Sequence, residues 1–165
     1  MKKSVIAIIG IFFSVNVFAT CTEMMNETDI ANFYFKANYC DGDLTKIILK
    51  NSNKYLNDYT ADLTKNEFTE LINAYKKSLE WYKKAKDMKV NINKSISITN
   101  TLKLNFRSDN NGDKITVLLM GIKDRTHSGG FGMRKQEKIE DIISKLESIK
   151  NNGPKKLKDL ENSFS

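Results

Sequence analysis

The chain holds one histidine, one proline, one tryptophan and two cysteines, and each scarcity removes a class of chemistry. A single histidine, His127, cannot supply two ligands, so histidine-based zinc sites are excluded by count. It also leaves no second imidazole to serve Ser128. The run Thr126-His127-Ser128-Gly129-Gly130 resembles a Gly-x-Ser-x-Gly nucleophile elbow with Thr at its first position. A Ser–His triad, however, needs its base to reach the serine from elsewhere in the chain. No Cys-x-x-Cys occurs, so dithiol redox chemistry has no support. Arginine stands only at Arg107, Arg125 and Arg134. Base readout leans on arginine forks and stacking aromatics, and no nucleic-acid partner is expected.

Long apolar runs are also missing, apart from the N-terminus. Lys2 and Lys3 precede a mainly apolar stretch over residues 5–18, and Val17-Phe18-Ala19 places an apolar and a small side chain at the −3 and −1 positions of a cut after Ala19. The stretch is about fourteen residues, short of the ~20 a spanning helix needs. Residues 1–19 therefore read as a cleavable signal peptide and residues 20–165 as one α+β domain, periplasmic or secreted, with no transmembrane segment after cleavage. Of the 27 basic residues, loss of Lys2 and Lys3 leaves 25 against 20 acids, a net charge of +5.

Export gives the cysteines a meaning. Two thiols in an oxidising compartment form one bridge, Cys21 with Cys40. The alternative is a lipoprotein anchored through Cys21, but Thr20 is a poor residue before a lipidated cysteine and Cys40 would be stranded. A bridge brings the two Cα atoms within about 7 Å, whereas a continuous helix between them would be about 27 Å long. The chain must therefore reverse, and Asn26-Glu27-Thr28 is the expected place.

Beyond Cys21 the pattern alternates between sheet and helix. Asn32-Phe33-Tyr34-Phe35-Lys36-Ala37-Asn38-Tyr39 is aromatic and alternating, and Asp41-Gly42 is a hairpin turn signal. That turn pairs Phe35 with Ile48 but leaves Phe33 opposite Lys50, so the register stays open, as does a competing helix over 28–38. Residues 51–63 hold Tyr55, Leu56 and Tyr59 in a short strand or packed loop. Thr64-Lys65-Asn66-Glu67 is a capping box. It opens a helix to residue 88 whose stripe is Phe68, Leu71, Ile72, Tyr75, Leu79 and Tyr82, with Trp81 off its centre. Over 96–122 a hairpin is expected around Asn111-Gly112, with Phe106 opposite Val117 and Leu104 opposite Leu119. A last helix over about 134–150 carries Ile139, Ile142, Ile143, Leu146 and Ile149, and Asn151-Asn152-Gly153-Pro154 stops it. The fold class is α+β: an antiparallel sheet of two hairpins packed by a long helix and a C-terminal helix. No internal sequence repeat is evident.

Two candidate surfaces remain. Arg125, His127, Ser128, Phe131 and Arg134 mark a glycine-rich candidate binding loop between a strand and a helix, where free N–H groups at the helix start could hold an anion. Gly130-Phe131-Gly132 continues into Arg134 and Lys135, not into the third glycine of a dinucleotide loop. Lys76, Lys77, Lys83 and Lys84, with Lys86 and Lys89, mark a basic helix face that is either solvated or drawn to anionic surfaces. Asp109, Asn111 and Asp113 begin like a calcium loop, but Lys114 and Met120 stand where Gly and Glu are needed.

The sequence thus points to an exported, non-enzymatic protein that binds a protein partner in the cell envelope, as an inhibitor or immunity protein does, with no cofactor and no metal. The alternatives are a hydrolase of cell-wall or glycan substrates using a carboxylate pair, and a binder of polyanions or membrane surfaces.

Overall fold

A computed structural model of the chain describes residues 21–30, 33–41, 43–51, 60–123 and 126–163. The signal peptide read over residues 1–19 lies outside these, as do Tyr55, Leu56, Tyr59 and Arg125. The chain runs through strands β1 (Cys21–Ile30), β2 (Phe33–Cys40), β3 (Asp43–Asn51) and β4 (Thr60–Thr64) into helix α1 (Lys65–Met88). Strands β5 (Asn93–Ser97), β6 (Leu102–Asp109), β7 (Lys114–Lys123) and β8 (Thr126–Met133) then lead into helix α2 (Gln136–Ser163). The strands form two four-stranded antiparallel meanders in sequence order. The fold is α+β, built as one five-element unit used twice.

The correspondence extends to side chains. In α1 the buried positions Phe68, Leu71, Ile72, Tyr75 and Ser78 match, at constant spacing, Ile139, Ile142, Ile143, Leu146 and Ile149 of α2. In the sheets, Ile47 opposite Leu63 and Leu49 opposite Ala61 match Val117 opposite Met133 and Leu119 opposite Phe131. Little of this survives as sequence identity, because a buried position asks for apolar volume, not for one residue type.

The helices do not stay with their own sheets. Phe68, near the start of α1, packs edge-on against Phe35 of β2 at 6.4 Å between ring centroids. Further along the same helix, Trp81 packs against Phe106 of β6 at 5.7 Å. Trp81, off the centre of the stripe, thereby widens the core toward the second sheet. Helix α2 lies on β1, β2 and β3 of the first unit, where the buried hydroxyl of Tyr39 donates to the Ile149 carbonyl. One continuous core results, and each fully buried Leu, Ile or Phe in it contributes roughly 1.5–3 kcal/mol.

Several elements depart from expectation. The chain does not turn at residues 26–28. β1 runs on to Ile30, and Cys21 stands directly opposite Cys40, bridged with their Cα atoms 4.0 Å apart. A hairpin satisfies the geometric demand of the bridge wherever its turn lies, and the sequence spacing alone did not fix that place. The segment 33–40 is strand, not helix. Cys40 stands opposite Asp43, the pairing that the Asp41-Gly42 turn signal predicts, but a bulge at Thr45 then shifts the register, setting Phe35 opposite Leu49 instead of Ile48. The Thr45 hydroxyl donates to the Asn38 carbonyl at 3.0 Å. The shift places Ile47 and Leu49, both buried, on the core face with Phe35, Ala37 and Tyr39, and a one-residue slip is the only way to do so.

In the second unit Phe106 does face Val117 and Leu104 does face Leu119. Asn111 at φ +53° and Gly112 at φ +82° make the turn, closed by Asp113 N–H donating to Asn110 O at 3.2 Å. The first arm of the hairpin expected over 96–122 is two strands, with Ile96 on β5 and Leu102 on β6. Residues 98–101 reverse the chain, with Thr99 Oγ1 accepting from the N–H groups of Thr101 and Leu102. Helix α2 does not stop at Gly153-Pro154 but contains them. An internal proline removes one N–H donor and bends a helix without forbidding it.

Candidate functional site

The glycine-rich segment singled out as a loop is a strand. Residues 126–133 form β8, at the edge of the second sheet. His127 pairs with Ile122, Ser128 with Gly121 and Phe131 with Leu119, while Gly129 forms a bulge. The glycines suggested a connector, since alternating apolar residues were sparse, but glycine within a strand often marks a bulge, as Gly129 does here. Arg134 follows β8 and is exposed. The segment is thus part of a surface whose other members the sequence did not bring together.

That surface is the outer face of the second sheet. Its core face holds Leu102, Leu104, Phe106, Val117 and Leu119, all buried. Its outer face, by alternation, carries Lys103, Asn105 and Arg107 on β6 and Thr116, Leu118, Met120 and Ile122 on β7. All of these are half-buried except Arg107, which is exposed. Gly132 stands opposite Leu118 and Gly130 opposite Met120, so two apolar side chains border a strip with none. Arg107 is engaged by Asp109 at 2.8 Å, and Ser95 donates to Asn105 at 2.8 Å.

The first sheet provides an internal comparison on the same backbone. Where the second has Thr116, Leu118 and Met120, the first has Lys46, Ile48 and Lys50; where the second has Gly132 and Gly130, the first has Asp62 and Thr60. Lys46 and Asp62 pair with each other at 2.6 Å. The first outer face therefore carries an ion pair and a further lysine at these places, where its counterpart has no charged residue.

No family model, characterised protein or solved structure matches the chain. The site must be read from its own chemistry.

Lys76, Lys77, Lys83 and Lys84 are all exposed on α1. Lys76 reaches Glu147 of α2 at 2.6 Å, and Lys77 is paired with Glu80 one turn along. Lys83 and Lys84 are exposed on the same helix, while Lys86 reaches the Asp113 carbonyl at 3.3 Å. Half of the four-lysine set is thus committed to internal pairs. Several carboxylates have structural partners as well: Asp43 with Lys65, Asp141 with Lys145, and Glu67, whose Oε2 accepts from Thr64 N–H at 2.8 Å in the capping box. No group of three or more His, Cys, Asp or Glu able to hold a metal occurs among the described residues. No described helix is long and apolar enough to cross a membrane. The sulfur on which a lipid anchor at Cys21 would depend is the one bonded to Cys40.

Proposed function

We propose that the protein is an exported, non-enzymatic binding module of the inhibitor or immunity type, which engages a protein of the cell envelope through the outer face of its second sheet. The observation that carries this reading is the contrast between the halves at three places on one backbone: Lys46, Lys50 and Asp62 on the first face stand where Thr116, Met120 and Gly132 stand on the second. Solvation alone favours the charged version, and a face made apolar and low in relief is suited to burial against another surface. Lys103, on the face opposite Met120, and Lys114 and Arg134 at its ends make no ion pair among the described residues, which fits a partner that sets acidic groups beside an apolar patch. The Cys21–Cys40 bridge is in keeping with an oxidising compartment.

The test compares bait variants in capture from envelope extract. Met120→Lys gives the second half the residue that the first half carries at Lys50, and Lys50→Met does the reverse. A stoichiometric partner held by the wild type and by Lys50→Met, and lost from Met120→Lys, is the expected outcome. Repeated recovery of no partner, or equal capture by all three baits, contradicts the reading.

A further inference from the structure

We infer that β8 is an interface with a second copy of this chain, the two copies joining edge to edge into one eight-stranded sheet. Four strands form the edges of the two sheets: β1, β4, β5 and β8. Natural edge strands are kept from pairing by charge, by proline, by bulges, by brevity or by cover. β1 carries Glu23, Glu27 and Asp29, β4 is five residues long and carries Asp62, and β5 is five residues long and carries Lys94. β8 is eight residues long, Thr-His-Ser-Gly-Gly-Phe-Gly-Met, with no charged residue and no proline, and it carries one bulge, at Gly129. Its outer edge has no strand partner among the described residues, and from Gly130 to Met133 it is in regular pairing with β7.

The second copy is favoured as occupant because such an edge complements itself. Antiparallel pairing of β8 with β8 around a twofold axis near Gly130 sets uncharged residues opposite uncharged residues along the strand, with nothing of like charge directly across it. It also sets the two outer faces side by side, so that Leu118 and Met120 of each copy flank the glycines of both. The inference is independent of what the outer face binds.

The experiment is sedimentation equilibrium of the purified, disulfide-bonded chain between about 1 and 100 μM, a range that reports micromolar association. Gly130 lies next to its own copy at the axis, opposite Met120 on the outer face, so a charge there meets its like across the dyad. The wild type is expected to reach twice the monomer mass, and Gly130→Lys and Gly130→Glu are each expected to remain monomeric. An equimolar mixture of the two variants should regain the doubled mass, which a folding defect would not allow. A wild type that stays monomeric throughout, a dimer indifferent to both charges, or a mixture that stays monomeric overturns the inference.

Discussion

Lys76 of α1 and Glu147 of α2 hold the same position in the two halves of the chain, and they meet each other at 2.6 Å. Residues that contact their own counterparts lie beside a twofold axis, so the pseudo-symmetry of the fold passes between the helices. Both side chains are about half exposed, which limits the pair to roughly 0.2–1 kcal/mol. Lys76→Glu should lower stability by about 1 kcal/mol by setting two carboxylates face to face, and Lys76→Glu with Glu147→Lys should restore it. Urea denaturation of the single and double variants measures both terms of the cycle.

Gly112 fastens the second sheet to α1. Its φ of +82° favours glycine, and a Cβ added there would lie 2.1 Å from the Ala85 carbonyl oxygen. Backbone cannot yield as a flexible side chain does. Gly112→Ala should cost about 2–4 kcal/mol, more than the ~1–3 kcal/mol of an unfavourable backbone region alone, read as a fall in the urea midpoint.

Ser108 closes the link between α1 and β5. Buried at 2 % exposure, its hydroxyl accepts from Ile92 N–H at 2.7 Å and donates to the Val90 carbonyl at 3.1 Å. Ser108→Ala leaves both backbone groups without that partner and should cost about 1–3 kcal/mol. Thermal unfolding followed by circular dichroism reads this as a lowered Tm.

Burial raises the pKa of Tyr75, and it raises that of Tyr39 as well. A phenol with a raised folded-state pKa ionises first in the unfolded chain. Its contribution is therefore complete below about pH 10, the unfolded value, and is lost as pH climbs from there toward the folded value. Stability measured from pH 8 to 12 should fall above about pH 10, and Tyr75→Phe should flatten that decline.

The bridge between Cys21 and Cys40 closes a separation of 19 residues and pins edge strand β1 to β2. Loop-closure entropy puts its contribution near 3 kcal/mol. Reduction should lower global stability by about that amount, and hydrogen exchange should quicken first in β1, the strand held on one side only.

What the sequence made legible was local. Thr64 and Glu67 announced α1 because a capping box satisfies orphan donors with neighbours a few residues away. Asn111-Gly112 set the β6–β7 register because few residues accept two successive positive φ angles. The isoleucines of α2 declared their stripe for the same reason, a period written within one element. The duplication stayed hidden because Phe68 and Ile139, or Tyr75 and Leu146, fill equivalent volume with unrelated side chains. The Thr45 bulge was hidden because its reason lies in the core that Ile47 and Leu49 must reach. The candidate site was half legible. His127, Ser128 and Phe131 drew notice by composition, but Leu118 and Met120 became a surface only when the register set them opposite Gly132 and Gly130.

The equivalence of Leu118 and Ile48 allows the most direct measurement. The two residues occupy the same place on the two sheets, each half-buried on its outer face. A photo-crosslinking amino acid placed at either position, in cells exporting the protein, compares two surfaces of nearly equal shape within one molecule. A discrete adduct with a second protein from position 118, and none from position 48, is the result expected. No adduct from either position, or equal adducts from both, would contradict a partner-binding face on the second sheet.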